Sequence, residues 1–193
     1  MIIALPLRKE EARYTYADYL TWDDDERWEI IEGVPYLMSP APSTDHQGVC
    51  GELFRQIANF LLGKPCRVFI APFDVRLFPK DDESDDTVVQ PDIVVVFDRS
   101  KLSRRGCAGA SDMLIEILSP TSIRRDMFEK LQLYKKAGVR EYWTVNPEAK
   151  TVWVMILKDG EYAVTAYGDD GSVPVHVLEG LNVDLAEVFA DVE

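Results

Sequence analysis

The chain has 193 residues, of which 47% are hydrophobic and 28% charged, values that are typical of a folded globular protein and exclude a disordered one. The length predicts one domain over residues 1–193. No apolar run reaches the ~18 residues that a membrane span needs, and the apolar segment 1–7 lacks the basic flank of an export signal. Because Cys50, Cys66 and Cys107 form no paired motif, we expect no disulfide scaffold, no zinc site and a cytoplasmic location.

The charge of the chain is strongly acidic but unevenly distributed. The net charge is -13, from 21 basic and 34 acidic residues, which argues against a protein whose main task is to coat nucleic acid. Residues 99–150 nevertheless hold 11 basic and 6 acidic residues. This segment is either a locally basic binding face or a solvated helix beside acidic loops, and the sequence leaves both interpretations open.

The N-terminal third begins with a short helix and an N-terminal β-hairpin. Thr15 and Asp18 have the spacing of a capping box. Residues 28–38 then predict two short strands around a tight turn.

A loop over residues 39–44 precedes the first long helix. Apolar residues at helical spacing predict this helix over residues 45–62, with Thr44 or Asp45 as its N-cap.

Three strands follow in the middle of the chain. Alternating apolar residues predict a strand over 67–78, and residues 80–86 form an acidic loop. A near-continuous apolar run predicts a second strand over 88–97, buried on both faces. After a basic connection over 99–112, residues 113–118 predict the third strand.

The last third alternates between helix and strand. A helix is predicted over 123–137, ended by Gly138, and a strand over 141–146. Residues 151–167 predict a C-terminal β-hairpin, and residues 178–192 a short strand with a terminal helix. The central order of helix, three strands, helix, strand indicates an α/β fold with a mixed central sheet.

Three polar residues occupy positions where the local pattern requires apolar ones. Asp92 begins an apolar strand and Glu116 interrupts another, and a buried carboxylate costs several kcal/mol unless it is paired or bound to metal. On the predicted helix 123–137, Lys130 lies about 20° from Ile123 and about 40° from Tyr134, within the apolar face. A lysine that faces the sheet requires a carboxylate there, and Asp92 and Glu116 lie on the strands that this helix would cover.

Two interpretations fit these residues. A buried lysine–glutamate pair can fix the register and do nothing else. Alternatively, two carboxylates can bind Mg²⁺ while a lysine positions the attacking water and counters charge in phosphoryl chemistry. Three convergent violations of the pattern favour a functional site.

The constellation resembles the PD-(D/E)XK nuclease superfamily, and over about residues 15–160 the chain resembles the Uma-two family of predicted restriction endonucleases. The segments that carry the resemblance are Trp28–Gly33, Met38–Pro42 with His46, Ala71–Leu77, Gln90–Val95, Ile115–Thr121, Arg125–Lys130, Tyr134, Gly138-Val139, Glu141–Trp143 and Pro147.

The resemblance implies a restriction-endonuclease-like core and roles for three residues. Asp92 and Glu116 would be the ligands of Mg²⁺ or Mn²⁺. Leu118 stands where the superfamily's common motif has its lysine, so the resemblance implies that Lys130 has taken over the role of that lysine.

Four further residues are secondary candidates. Glu29 is either an additional acid near the metal or one partner of a salt bridge at a strand edge. His46 either packs in the core or lines the cleft. Asp74 lies on the polar side of its predicted strand, where exposure to solvent is expected, and Tyr134 is a core residue whose hydroxyl could approach the site.

Three functions remain open at this point. The first is a metal-dependent endonuclease acting on DNA, with no membrane partner. The second is a catalytically inactive nuclease fold that serves as a binding or assembly module, and the third is a nuclease acting on RNA or a small nucleotide substrate. Exposed edges of the 151–167 hairpin add a homodimer as an expectation.

Overall fold

The structure, a computed structural model, describes residues 12–23, 25–38 and 42–192. The apolar start 1–7 and part of the predicted 39–44 loop lie outside the described residues. Within the described ranges, no helix is long and apolar enough to cross a membrane.

Strands outnumber helices in the described chain. The strands are β1 (Trp28–Ile31), β2 (Val34–Leu37), β3 (Arg67–Ile70), β4 (Val75–Arg76), β5 (Val88–Val89), β6 (Ile93–Val96), β7 (Leu102–Ser103), β8 (Gly106–Ala108), β9 (Met113–Ile117), β10 (Glu141–Asn146), β11 (Thr151–Lys158), β12 (Glu161–Tyr167), β13 (Ser172–Pro174) and β14 (Asn182–Asp184). The helices are α1 (Tyr16–Tyr19), α2 (Thr44–Phe60), a 3-10 turn (Arg99–Lys101), a π-helical segment (Arg125–Lys130), α3 (Leu131–Ala137) and α4 (Leu185–Val188).

The central sheet has the order β12-β11-β10-β9-β6-β3. Strands β9 and β10 are parallel and the other neighbours are antiparallel, so the sheet is mixed, as predicted. In chain order its core consists of α2, β3, β6, β9, a helix and β10, which confirms the predicted succession of elements. The C-terminal hairpin β11–β12 extends this sheet, and its turn residues Asp159 and Gly160 both have positive φ, as the predicted tight turn requires.

A second six-stranded sheet has the order β2-β1-β5-β4-β8-β7 and contains the predicted N-terminal hairpin. Its inner face and one face of the central sheet share an apolar cluster that includes Val75, Val89, Val94, Leu114 and Tyr134. The opposite face of the central sheet packs against α2 and the C-terminal segment in another apolar cluster. The interior between the two sheets is where the candidate site lies.

Two predicted strands are each divided between the two sheets. The 67–78 segment becomes β3 and β4, and the 88–97 segment becomes β5 and β6. Pro72 and Pro91 lie at the two breaks, and a proline cannot donate a hydrogen bond to a ladder. The prediction of continuous strands was therefore wrong, because it gave the apolar patterns of the two segments more weight than their prolines.

Two smaller predictions also differ from the structure. The 99–112 connection contains a hairpin, β7–β8, which was not predicted. The N-cap of α2 is Ser43, whose hydroxyl accepts a hydrogen bond from the His46 N–H, rather than Thr44 or Asp45. The capping box of Thr15 and Asp18 is present as predicted.

Residues 123–137 are helical and end at Gly138 in the left-handed conformation, with φ 84°. We call this element the site helix. Its residues 125–130 form a π-helix rather than the predicted α-helix. The Tyr142 hydroxyl donates a hydrogen bond of 2.9 Å to the main-chain carbonyl of Asp126, which gives this buried carbonyl a partner from outside the helix.

Candidate active site

The ammonium group of Lys130 lies in the interior, surrounded by three carboxylates. The residue is 2% exposed. Its Nζ lies 2.7 Å from Oε1 of Glu29, 2.9 Å from Oε1 of Glu116 and 3.5 Å from Oδ1 of Asp126. The helical-face argument therefore placed Lys130 correctly, since it meets Glu116 across the interface between the site helix and the central sheet.

The three acids come from three separate elements of the fold. Glu116 lies on β9 of the central sheet, Glu29 on β1 of the second sheet, and Asp126 one turn before Lys130 on the site helix. Glu29, Glu116 and Asp126 are 1%, 4% and 3% exposed. The cluster thus ties both sheets to the site helix, and its geometry depends on the packing of all three.

Tyr134 adds a second hydrogen bond to Glu116. Its hydroxyl donates to Oε1 of Glu116 at 2.7 Å, from a fully buried position one turn after Lys130. Burial and then the charge of Glu116 raise the pKa of the Tyr134 hydroxyl well above its ordinary value. The phenol therefore stays protonated and acts as a donor that orients Glu116, so Tyr134 is both a core residue and part of the site.

Asp92 lies beside Glu116 at the end of the neighbouring strand. Asp92 directly precedes β6, one position before Ile93, which pairs with Ile115 on β9. The two carboxylates are close enough for the charge of Asp92 to raise the pKa of Glu116. The Ile117 N–H donates to Oδ2 of Asp92 at 2.8 Å, which fixes this carboxylate against β9.

His46 also reaches this point from the first turn of α2. Its Nε2 lies 3.4 Å from Oδ2 of Asp92, and the side chain is mostly buried. Its Nδ1 is buried and has no hydrogen-bond partner within the described part of the chain.

The charges of the cluster perturb one another strongly. Burial raises the pKa of Glu116 well above its ordinary value against the attraction of Lys130, and the negative charges of Asp126, Asp92 and Glu29 add to the increase. Burial likewise raises the pKa of Asp126 against the attraction of Lys130. For Lys130 burial opposes the charge, but Glu116, Glu29 and Asp126 together outweigh it and raise the pKa of the ammonium well above its ordinary value. Lys130 is therefore a permanent cation at neutral pH.

Gln90 forms a hydrogen bond with Glu29 and connects it to Arg27 and Asp74. The Gln90 main-chain N–H donates to Oε1 of Glu29 at 2.8 Å, while its side chain accepts two hydrogen bonds from Arg27 and donates to Asp74 at 2.8 Å. Tyr19 also donates to Asp74, at 3.2 Å. Glu29 does form a salt bridge, as one interpretation expected. The expected position at a strand edge was wrong, because the pair with Lys130 is buried.

The expected exposure of Asp74 was also wrong. Asp74 is only partly exposed, and burial raises the pKa of its carboxyl against the hydrogen bonds from Gln90 and Tyr19. Hydrogen bonds among the described residues connect Asp74 to Lys130 through Gln90 and Glu29, so Asp74 does not touch Lys130 itself. Only tertiary pairing between the strands reveals this network.

Two residues of the site were not among the candidates. Asp126 contacts Lys130, and its i, i+4 spacing to that lysine was a usable signal in the sequence. Arg125 lies with Nη1 3.9 Å from Oε2 of Glu29, and its guanidinium carbon is 4.3 Å from the centre of the Tyr36 ring. No sequence spacing relates Arg125 to these two residues, because they lie on the distant β-hairpin.

The donor chemistry of Asp92 and Glu116 fits a hard divalent cation. In the described ranges no group of three or more His, Cys, Asp or Glu side chains is arranged to hold a metal ion. Mg²⁺, however, is commonly bound through one or two carboxylates with water and substrate phosphate as its other ligands. The lysine and tyrosine hydrogen bonds engage Oε1 of Glu116, so Oε2 is the oxygen that these bonds leave for a cation.

The order of elements and the mixed sheet define a restriction-endonuclease-like α/β fold. A solved structure with this fold is that of a protein from Anabaena variabilis ATCC 29413, described as "a putative nuclease belonging to DUF820", with 22% identity and a TM-score of 0.73. The match covers 92% of this chain and 98% of that one.

The chain belongs to the Uma2 family, described as "Putative restriction endonuclease", whose family model matches residues 16–186. This confirms the resemblance to the Uma-two family, and the family supports a nuclease function. A search of curated proteins gives no match.

Proposed function

We propose that the protein is a Mg²⁺- or Mn²⁺-dependent endonuclease that hydrolyses phosphodiester bonds in DNA, with Asp92 and Glu116 as metal ligands and Lys130 as the catalytic cation. The observation that carries the proposal is the contact of 2.9 Å between the Lys130 ammonium and Glu116. An amine from the site helix thereby contacts an acid on β9, and the charge of Asp92 is close enough to raise the pKa of that acid. Membership of a nuclease family makes hydrolysis the chemistry to test first.

The protonation state of Lys130 defines its part in the reaction. A general base must release its proton near the operating pH, and the raised pKa of Lys130 prevents this. Lys130 instead donates hydrogen bonds and supplies positive charge where negative charge develops on the phosphate oxygens. Glu29 and Asp126 hold the ammonium in place, and Tyr134 holds Glu116.

When bound, the divalent cation lowers the pKa of a water ligand and offsets charge on the phosphate. We assign two oxygens to this ion: one from the carboxylate of Asp92, which the Ile117 N–H holds in place, and Oε2 of Glu116. In the hydrolysis, a water oxygen forms a bond to phosphorus and gives up one proton. One P–O ester bond breaks at the same time, and the leaving oxygen takes up one proton, so the protons balance.

Cleavage of supercoiled plasmid DNA with Mg²⁺ or Mn²⁺ tests the proposal. Wild-type protein should convert the plasmid to nicked and linear forms, and EDTA should stop the reaction. Asp92→Asn and Glu116→Gln, which keep the shape of each side chain, should abolish cutting without changing the circular dichroism spectrum. Asp98→Asn is the matched control, because Asp98 is an exposed aspartate that caps the 3-10 turn.

The cleavage assay and a metal titration separate the alternatives. Equal cutting by wild type and both site variants would mean contamination or another site. Cleavage of RNA but not of DNA would identify an RNA nuclease. If the protein is an inactive assembly module, calorimetric titration with Mn²⁺ should detect no saturable metal site that depends on Asp92, so wild type and Asp92→Asn should give the same titration curve.

We also propose that the protein is a cytoplasmic homodimer, formed through β12. This strand is the edge of the central sheet, residues 163–166 are exposed, and no lysine or proline within the strand blocks pairing with a second copy. Light scattering after gel filtration should give twice the mass of the chain. Val164→Lys should yield the monomer and Val164→Thr should not, whereas a monomeric wild type would refute the dimer.

A further inference from the structure

The site has an excess of negative charge that a nucleic acid phosphate must overcome. With all groups ionised, the carboxylates of Asp92, Glu116, Glu29 and Asp126 outnumber the ammonium of Lys130 by three charges. One divalent cation would still leave one negative charge in excess. The more of these carboxylates are ionised, the more strongly they repel a phosphodiester anion, so a further cation that the substrate can reach favours its binding here.

Arg125 is a cation that lies next to the cluster and is partly exposed to solvent. It is the first residue of the π-helical segment, directly before Asp126, and its side chain is 24% exposed. The guanidinium lies over the ring of Tyr36 and 3.9 Å from the buried carboxylate of Glu29. Since Glu29 and Tyr36 are directly paired across β1 and β2, Arg125 spans this pair at the border between the buried cluster and solvent.

The contacts of Arg125 orient the guanidinium but do not saturate it. At 3.9 Å the approach to Glu29 is an ion pair without a hydrogen bond. The ring of Tyr36 restrains the guanidinium plane without using an N–H donor. A guanidinium that is held in this way loses little conformational entropy when it binds a phosphate through two parallel N–H donors.

We propose that Arg125 is a substrate-positioning residue that binds a non-bridging phosphate oxygen of the nucleic acid backbone at the mouth of the site. This inference rests on the proposed nuclease function. It assigns Arg125 to phosphate binding, separate from the roles of Lys130 and the carboxylates in the cleavage step. The neighbouring Arg124 is exposed and makes no ion pair or ring contact within the described residues, so it provides a matched control with the same charge.

The test measures the affinity of a fluorescein-labelled DNA duplex by anisotropy, with Ca²⁺ in place of Mg²⁺ to prevent cleavage. Removal of one charge-assisted phosphate contact by Arg125→Ala should weaken binding about tenfold. It should also reduce the slope of log K against log salt by about one. Arg125→Lys should give an intermediate loss, because it retains the charge without the two-donor geometry, and Arg124→Ala should change affinity much less.

Kinetics separate this proposal from the proposed function. If wild-type protein cleaves DNA, Arg125→Ala should raise KM with a smaller change in kcat, and its melting temperature should stay near that of wild type. Equal effects of Arg124→Ala and Arg125→Ala on affinity would overturn the role of Arg125 while leaving the nuclease intact. If wild-type protein binds DNA without cutting it, a selective loss in Arg125→Ala would support Arg125 and contradict the nuclease. Absence of any binding by the wild type would overturn both.

Discussion

Replacement of Lys130 by methionine should destabilise the protein far more than loss of an ordinary lysine. Methionine keeps an unbranched apolar chain but removes the ammonium that Glu29, Glu116 and Asp126 share. All three acids are at most 4% exposed, so water cannot replace the lost partner. Removal of one member of a buried ion pair costs about 3–5 kcal/mol because the remaining charge stays buried without compensation.

Urea denaturation at neutral pH measures this cost, with Lys135→Met as the control. Lys135 lies on the same helix and pairs at 2.9 Å with Glu161, whose side chain is 79% exposed, and such pairs contribute only about 0–1 kcal/mol. The cost of Lys130→Met should shrink towards acidic pH, because the uncompensated carboxylates then bind protons. Addition of Glu29→Gln to Lys130→Met should restore part of the lost stability. A loss in Lys130→Met no larger than that in Lys135→Met would refute the buried cluster.

Three further predictions concern the same framework. Glu116→Gln should become more stable relative to wild type as the pH rises above 4.5, the ordinary pKa of glutamate, because the pKa of Glu116 is raised in the folded protein and its ionisation there is destabilising. In pH-dependent denaturation curves, the difference in stability should level off above that raised pKa. A difference that falls with rising pH would contradict the raised pKa. Tyr142→Phe leaves the buried carbonyl of Asp126 without its hydroxyl donor and should cost about 1–3 kcal/mol in thermal or urea unfolding, whereas an unchanged stability would show that the π-helical segment does not need this bond. Gly106→Ala should lose roughly 2 kcal/mol or more, since φ is 130° and the new Cβ would collide with the carbonyl oxygen of Asp74, and a neutral effect in the same assay would contradict that close approach.

The succession of core elements followed from local patterns, but the division of the strands did not. Alternation of apolar residues identified 67–78 as a strand and a near-continuous apolar run identified 88–97, and each segment contains two shorter strands. Only Pro72 and Pro91 marked the points where the chain passes from one sheet to the other. The second sheet was therefore hidden, because strand pairing over long distances leaves no period in the sequence.

The centre of the site was predictable because its residues violate a strong pattern. An acid in a buried strand and a lysine within an apolar helical face stand out against their neighbours, which is how Glu116 and Lys130 were found. The argument was incomplete in detail, since Ile123, one reference for that face, is 40% exposed while Asp126 is buried. The π-helical segment adds a residue to its turns, so spacings of 3.6 residues misplace positions that precede it.

The contacts made by Glu29 and Arg125 could not be derived in the same way. Glu29 lies 101 residues from Lys130 in the chain, and its strand could equally have been an exposed edge. Its burial results from the packing of the second sheet over the site helix, which no local pattern describes.

The central claim, a divalent cation held by Asp92 and Glu116 beside Lys130, is tested most directly by a crystal structure of the protein soaked in Mn²⁺, with anomalous diffraction to locate the ion. The account predicts one anomalous peak within coordination distance of a carboxylate oxygen of each acid, with Lys130 still in contact with Glu116, and no peak there in Asp92→Asn. A well-ordered site without a peak, or a peak away from both acids, would contradict it.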